Sequence, residues 1–331
     1  MSQNYQTLLL SGEDSVAQAV SLLQKGECVA LPTETVYGLA ADASDIIAIN
    51  KIFEAKKRPK NHPLIVHIPD VSHLENWAKA IPSTAYDLAK LFWPGPLSLL
   101  LKKADHVPYE VTGGLDTIAL RVPAHPVFLD VLSKLNKGLA APSANRYQQL
   151  SPTIAEQVMQ GLEGRIAAVL EGGPCEHGLE STILDLVSEK PRILRSGPVT
   201  QQQLETAMGQ SVHTPKNHTQ VVPGNVKAHY QPNTSLHILS SEQLLADIDK
   251  LAQKNCHLIV WSNAVIEQCQ KTDFLTSKWS TLENDAALFG RELYVSLYQV
   301  EQTCPSQIII EQPPQSDAWA AVNDRLSRAA S

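Results

Sequence analysis

Short apolar runs of β-forming residues alternate with amphipathic helical stretches along most of this chain, and that alternation narrows the fold more than any other feature. Glu27-Cys28-Val29-Ala30-Leu31 is such a run, stopped by Pro32,. Others fall at Pro63–Ile68, Leu97–Leu101, Thr117–Val122, Leu139–Ala141, Ala167–Leu170, Thr182–Leu186 and Arg192–Leu194. Among the helical stretches, Glu13–Gln24 places Val16, Ala19, Val20 and Leu23 on one face, with Gly26 just past its end,. Ser44 or Asp45 can cap a second helix running through Phe53 and Ala55,. Thr84–Phe92, Pro126–Leu135 and Thr153–Met159 supply three more. Interleaved strands and helices predict an α/β fold with helices on the faces of an open, twisted sheet. Several strands follow one another without a helix, so the sheet should be mixed rather than fully parallel.

Polar chain from Gly209 to Pro232, with Thr214-Pro215-Lys216-Asn217-His218 and Pro223-Gly224, interrupts the pattern. It reads as a linker or active-site lid. The pattern then resumes with strands at Leu236–Leu239, His257–Trp261 and Gln307–Ile310. Helices beginning near Ser240 and covering Glu283–Gln299 and Trp319–Ala329 alternate with them, enough for a small Rossmann-like α/β domain,. It has no G-x-G-x-x-G and is not read as a dinucleotide site. The expected organisation is a catalytic domain over 1–208, a linker over 209–234 and a C-terminal domain over 235–331.

Bulk properties exclude several classes. With 43% hydrophobic and 18% charged residues, the composition is that of a globular protein able to bury a core,. A net charge of −7 argues against a field that attracts nucleic acid, although Lys51 to Lys60 is locally basic,. The cysteines (Cys28, Cys175, Cys256, Cys269, Cys304) are odd in number and contain no C-x-x-C pair,. Cys175-Glu176-His177 offers metal ligands without a matching second pair,. Met1 to Gln6 has no signal-peptide character, and no apolar run reaches the ~18 residues of a membrane span,. A cytoplasmic protein is expected, without a membrane partner.

The polar residues that matter cluster at strand ends, where open α/β sheets bind ligands. Thr33-Glu34-Thr35-Val36-Tyr37-Gly38-Leu39 follows the strand stopped by Pro32. Lys56 and Arg58 follow a helix and precede Pro59, so their heads can converge on one anion; the plainer reading is a solvated basic patch,. His67 shares a strand face with Ile65, and such a histidine is more often a bonded core residue than a catalytic one,. Arg121 ends an apolar strand, where a charge is costly unless paired; Asp116 and Glu180 are the internal candidates for its partner,. Ala140-Ala141-Pro142-Ser143-Ala144-Asn145 is a strand end built of small residues, which let backbone groups approach a ligand,. Ser151-Pro152-Thr153 is also a good helix start,.

In their order along the chain these blocks resemble the YrdC-like family, the threonylcarbamoyl-AMP synthases. The blocks are L-P-T-E-T-V-Y-G from Leu31, K-K-R-P from Lys56, W-P-G-P-L from Trp93, L-D-T-I-A-L-R-V-P from Leu115, A-P-S-A-N from Ala141 and G-L-E-S-T-I from Gly178. Pro223-Gly224 with His229-Tyr230-Gln231-Pro232, and N-D-R-L-S-R-A-A from Asn323, resemble the long form with an extra C-terminal domain. The family motif in the linker is roughly P-G-M-x-Y-x-H-Y-A-P, and this chain replaces its Met, first Tyr and Ala.

The resemblance implies a reaction that joins L-threonine, bicarbonate and ATP, with Mg2+, into threonylcarbamoyl-adenylate and pyrophosphate. The product would pass to a tRNA threonylcarbamoyl-transferase complex that modifies an adenosine beside the anticodon. Carried over by motif, Thr35, His67, Arg121, Ala141 and Ser181 are expected at threonine. Lys56, Arg58, His62, Thr117, Ser143, Ser151, Arg195 and Tyr230 are expected at ATP, with Asn61 sharing the variable position of His62. Lys56 and Arg58 would stabilise charge, no nucleophilic side chain is needed, and no protein side chain is assigned to the metal. Two other readings compete. An RNA-binding YrdC-like module without adenylate-forming activity, in direct contact with tRNA, is disfavoured by the acidity and by an aromatic content of 5%,. A carbamoyl-transfer domain like that of hydrogenase maturation comes fused to zinc-finger modules, and this chain has no cysteine clusters.

Overall fold

A computed structural model describes residues 6–215, 221–224, 229–272 and 278–330. The chain divides into two compact units, one of Met1–Tyr147 and Ser151–Asn225, the other of Gln148–Leu150 and Val226–Ser331.

In the first unit the strands are β1 (Leu8–Leu10), β2 (Val29–Leu31), β3 (Gly38–Asp42), β4 (Ile65–His67), β5 (Leu97–Lys102), β6 (Thr117–Arg121), β7 (Leu139–Ala140), β8 (Ala168–Leu170), β9 (Thr182–Asp185) and β10 (Arg192–Arg195). They form one sheet in the order β1-β8-β2-β3-β7-β4-β6-β5-β9-β10. Its pairings are mixed as expected: β4 runs parallel to β6, whereas β2 and β3, and β5 and β6, are antiparallel. The helices are α1 (Ser15–Gln24), α2 (Ile46–Lys56), α3 (Ser83–Phe92), α4 (Tyr109–Thr112), α5 (Pro126–Leu135), α6 (Ala155–Leu162) and α7 (Gln201–Met208). Of the two candidate caps for α2, Asp45 is the one used, accepting the N–H groups of Ile47 and Ala48,.

Alternation along the strands sorts their side chains into two layers. Val66, Leu97, Leu99, Leu101, Ile118 and Leu120 join the main core with residues of α2, α3 and α6. On the other face, Val29, Leu31, Ala40, Leu139 and Leu170 pack under α1 and α5. Those two helices cover only the half of the sheet around β2, β3 and β8. On the remaining half, Ile65, Leu100, Ala119, Ile183 and Leu194 meet Val222, a residue of the segment that leaves the unit. His67 and Arg121 lie on this same face, opposite each other in the β4–β6 register.

The second unit contains β11 (Leu236–Leu239), α8 (Ser241–Ala252), β12 (Cys256–Val260), α9 (Asn263–Lys271), β13 (Trp279–Thr281), α10 (Ala286–Gln302), β14 (Gln307–Glu311) and α11 (Ala320–Ala329). Its sheet has the order β11-β14-β12-β13 with every pairing parallel. Four strands replace the three expected, because β13 and α9 are added between β12 and α10. At the carboxyl edge of this sheet, fully buried Glu311 accepts the N–H groups of Trp261 (2.8 Å) and Ser262 (3.0 Å) and the hydroxyl of Ser241 (2.7 Å). Its carboxylate thus satisfies the donors leading into α9. Gln231 donates its N–H to the carbonyl of Gln148, and the Tyr298 hydroxyl donates to the carbonyl of Leu150, tying residues 148–150 into this unit.

Candidate active site

Two strand-end loops build the centre of the first unit. The Thr33–Tyr37 loop leaves β2 and the Ala141–Asn145 loop leaves β7. They lie side by side, with Leu39 N–H donating to the Pro142 carbonyl and Ala144 N–H to the Tyr37 carbonyl, both at 2.7 Å. Gly38 permits this approach, since a Cβ there would stand 3.2 Å from that of Ala141,. Thr33 fixes its own loop: its hydroxyl donates to the Val36 carbonyl (2.6 Å) and accepts the Thr35 and Val36 N–H groups (3.1 Å each).

Arg121 is the hub of the amino-acid side. Only 3% exposed, it donates Nε to the Gly95 carbonyl (3.0 Å) and both Nη atoms to Thr35 Oγ1 (3.1 Å each). Its ionic partner is neither Asp116 nor Glu180, the carboxylates considered from sequence. It is Glu34, whose Oε1 lies 2.6 Å from Nη2. Glu34 belongs to the Thr33–Tyr37 loop and reaches Arg121 only once that loop has folded against the end of β6. His67 stacks on Phe128 of α5 at 5.2 Å between ring centroids. Burial, then the charge of Arg121, keep its imidazole neutral by holding its pKa well below 6.5,. Ser181 is fully buried, its hydroxyl 2.8 Å from that of Ser98. Arg195 clamps the same residue, donating Nη2 to Ser181 Oγ and Nε to its carbonyl, each at 3.0 Å, while Nη1 donates to the Pro223 carbonyl. Ala141 donates its N–H to the Ile65 carbonyl, so its contribution to the wall is backbone and methyl.

A second cluster surrounds Lys56. Its Nζ is buried and donates to the carbonyls of Ser143 (2.6 Å) and Asn145 (2.5 Å). Burial and then the charge of Arg58 lower its pKa well below 10.5, with Glu180 opposing. Arg58 donates Nη2 to the Pro63 carbonyl. His62 meets Tyr147 edge-on at 5.5 Å, its pKa lowered by burial and by Arg58. The Ser143 hydroxyl donates to Asn145 Oδ1 (2.5 Å), and the Ser151 hydroxyl donates to Glu180 Oε1 (2.5 Å).

Thirteen residues were assigned to ligands from sequence. Arg121 is bonded to Thr35 and Arg195 to Ser181, with His67 in the field of both arginines, while Lys56, Ser143, Arg58 and His62 form a second group. The two groups adjoin where the strand-end loops meet. Thr117 opens β6 opposite Lys102, four residues before Arg121, or roughly 13 Å along the strand,. Tyr230 belongs to the second unit, where its buried ring lies 5.9 Å from that of Tyr294 and 5.0 Å from Arg325 Cζ. Linker residues 216–220 and 225–228 lie outside the described residues. Glu34 and Asn145 stand within the quoted strand-end blocks but carry no role assigned from the sequence, and Ser98 lies outside those blocks. Ser98 carried a signal, as the hydroxyl of an otherwise apolar strand at a site-facing alternation position.

Among the described residues no group of three or more His, Cys, Asp or Glu side chains gathers as for a metal ion, so Cys175-Glu176-His177 recruits no further ligand. No described helix is long and apolar enough to cross a membrane.

A mixed sheet with cationic strand ends on one open half-face, joined to a small parallel α/β unit, defines a two-part class of protein, and comparison with known proteins identifies it. Residues 21–197 match the family model described as telomere recombination, and residues 199–331 match the model described as the threonylcarbamoyl-AMP synthase C-terminal domain. The chain is 38% identical over 330 residues to the threonylcarbamoyl-AMP synthase of Bacillus subtilis, covering 97% of this chain and 94% of that protein. It is 36% identical over 324 residues to the enzyme of that name from Pyrococcus abyssi, covering 94% and 92%. The crystal structure of P. abyssi Sua5 complexed with L-threonine matches with a TM-score of 0.87 at 33% identity, covering 98% of this chain and 96% of that one. The chain belongs to the threonylcarbamoyl-AMP synthase family, in the form that carries the C-terminal domain.

Proposed function

We propose that this protein is a nucleotidyltransferase that makes threonylcarbamoyl-adenylate from L-threonine, bicarbonate and ATP, with release of pyrophosphate. The observation that carries the reading is the buried Arg121, held by Thr35 and Gly95 beside neutral His67. The fixed guanidinium supplies positive charge for an α-carboxylate, with Ser181 and the Ala141 backbone placed for the amine and hydroxyl. Lys56, Arg58 and Arg195 supply the positive charge a triphosphate needs, with Ser143, Ser151, Thr117 and His62 as its polar contacts. Threonine, once carboxylated on its nitrogen, attacks the α-phosphorus through a carbamate oxygen, and pyrophosphate leaves with the electrons of the broken P–O bond. Positioning and charge stabilisation do this work without a covalent enzyme intermediate.

Magnesium, brought in on ATP, would share with Lys56, Arg58 and Arg195 the neutralisation of phosphate charge. Tyr230 is read as the residue that closes over the nucleotide. The adenylate then passes to a tRNA-modifying transferase in the cytoplasm.

The test is incubation of the protein with ATP, magnesium, bicarbonate and labelled threonine. Pyrophosphate release that requires both threonine and bicarbonate is the expected result. Release that is absent, or indifferent to threonine, refutes the assignment.

A further inference from the structure

The Arg121 pocket holds a buried carboxylate among residues otherwise suited to anions. Glu34 is 3% exposed, and its Oε1 lies 2.6 Å from Arg121 Nη2. Its Oε2 accepts the Ala124 N–H at 3.0 Å, and its own carbonyl accepts the His177 N–H at 2.8 Å, so backbone on both sides fixes the residue. Burial works to raise its pKa, but Arg121 and the backbone N–H groups of Ala124 and of Glu34 itself outweigh burial and hold the carboxyl below its usual range, hence ionised. Thr35 is uncharged, and the titratable side chains that feel this pair, His67, His125, His177 and Cys175, are all pushed by burial toward their neutral forms. Arg195 directs its own contacts to Ser181 and Pro223.

The Arg121–Glu34 pair is therefore neutral as a unit and dipolar, as a zwitterionic amino acid is. A lone buried arginine would attract any carboxylate, and most strongly a ligand with no compensating ammonium. Next to Glu34 that preference reverses. A simple anion brings a second negative charge close to a buried carboxylate, whereas a zwitterion brings an ammonium that the same carboxylate attracts.

We propose that Glu34 is a positioning and specificity-determining residue: it orients Arg121 and makes the pocket select a zwitterionic amino acid over the matching 2-hydroxy acid anion. This deepens the threonine reading and rests on it. Glu34 acts through Arg121 and through charge, and it is given no step in the chemistry.

The experiment compares L-threonine with the 2,3-dihydroxybutanoate of the same stereochemistry, in which a hydroxyl replaces the amine. Affinities of the full-length protein for each, and for ATP, are measured by calorimetry. In the wild type threonine binds at least about tenfold more tightly than the hydroxy acid. Glu34→Gln keeps the shape and an acceptor for Ala124. It should weaken threonine, strengthen the hydroxy acid and shift their ratio by about tenfold or more, with ATP affinity unchanged. Glu34→Asp keeps the charge but withdraws it by one methylene, and should move the ratio the same way by about threefold. A ratio equal to that of the wild type in whichever of these variants folds, or equal weakening of both ligands, makes Glu34 a structural residue only and overturns the proposal. A wild type that binds ATP but not threonine instead overturns the threonine reading itself.

Discussion

Replacing Gly197 with alanine should damage the protein from its backbone outward. Gly197 follows β10 and lies against the start of β9. A Cβ at this position would meet the Thr182 nitrogen at 2.3 Å, the Glu180 carbonyl oxygen at 2.6 Å and the Ser181 carbonyl carbon at 2.6 Å. All three are main-chain atoms, so no rotamer change relieves the clash. Ordinary contact begins near 3.4 Å, and one strand end must move by about 1 Å,. Thr182 cannot follow freely, because its N–H donates to the Pro96 carbonyl at 2.9 Å and its hydroxyl to the Val199 carbonyl at 2.7 Å. Ser181 is held by the two bonds from Arg195. Overpacking costs about 1–3 kcal/mol, and loosening one charge-assisted bond adds about 1.5–3 kcal/mol, so the expected loss is ~2.5–6 kcal/mol. Urea denaturation followed by far-UV circular dichroism measures it, and threonine affinity should fall at the same time because Ser181 moves. Gly161→Ala is the control: it lies in α6 with open space around it and should be neutral or stabilising by up to ~1 kcal/mol,. A Gly197→Ala protein within 1 kcal/mol of the wild type and with unaltered threonine binding would refute the steric reasoning.

Three further outcomes are expected. Arg58→Ala and Lys56→Ala should each weaken ATP binding by about 1.5–3 kcal/mol while sparing threonine, and Lys56→Ala should also lower stability because it strands the Ser143 and Asn145 carbonyls,; calorimetry with unchanged ATP affinity would return both to a structural role. Serine should replace threonine at a cost of about 1–3 kcal/mol, whereas valine should lose more because it leaves hydroxyl partners unpaired; equal competition by the two in a synthesis assay would contradict this pocket. Stability should decline as pH falls below about 6.5, because the unfolded chain then takes up a proton that buried His67 in the folded chain refuses,. That slope, at most about 1.4 kcal/mol per pH unit for this one group, should shrink in His67→Gln, and identical slopes would exclude the histidine as its source.

Much of this architecture is legible along the chain because its strands are apolar and its helices are capped. Pro126–Leu135 is helical over the range its sequence suggests, and α8 begins from Ser240 as expected, in a capping box with Gln243 that the structure adds,. What escaped has physical reasons. β3 is Gly-Leu-Ala-Ala-Asp, whose small residues have little strand preference and gain a strand only from neighbours on both sides,. β1 and β13 are edge strands, β1 with two of its three leucines exposed and β13 reading Trp-Ser-Thr, so neither shows the buried apolar run that marks the inner strands,. Strand order is a long-range property: nothing local says that β7 inserts between β3 and β4. The site divides in the same way. Cations beside strand ends are visible in the sequence as chemistry without an evident structural purpose. The choice of Glu34 over Asp116 or Glu180 as the partner of Arg121 depends on how a loop far away in sequence folds back.

Residues Gln148–Leu150 belong to the second unit although chain of the first flanks them on both sides. A fragment ending at 225 would carry these three residues without the Gln231 and Tyr298 groups that bind them, and a fragment starting at 226 would lack them. On a ribosome they emerge well before any partner exists, so the first unit has to complete itself around a short excursion left waiting. Gene fusions, truncations or domain exchanges that cut this chain only at the linker leave an unmet bond on each side of the cut, so residues 148–150 need replacement partners wherever the two parts are separated.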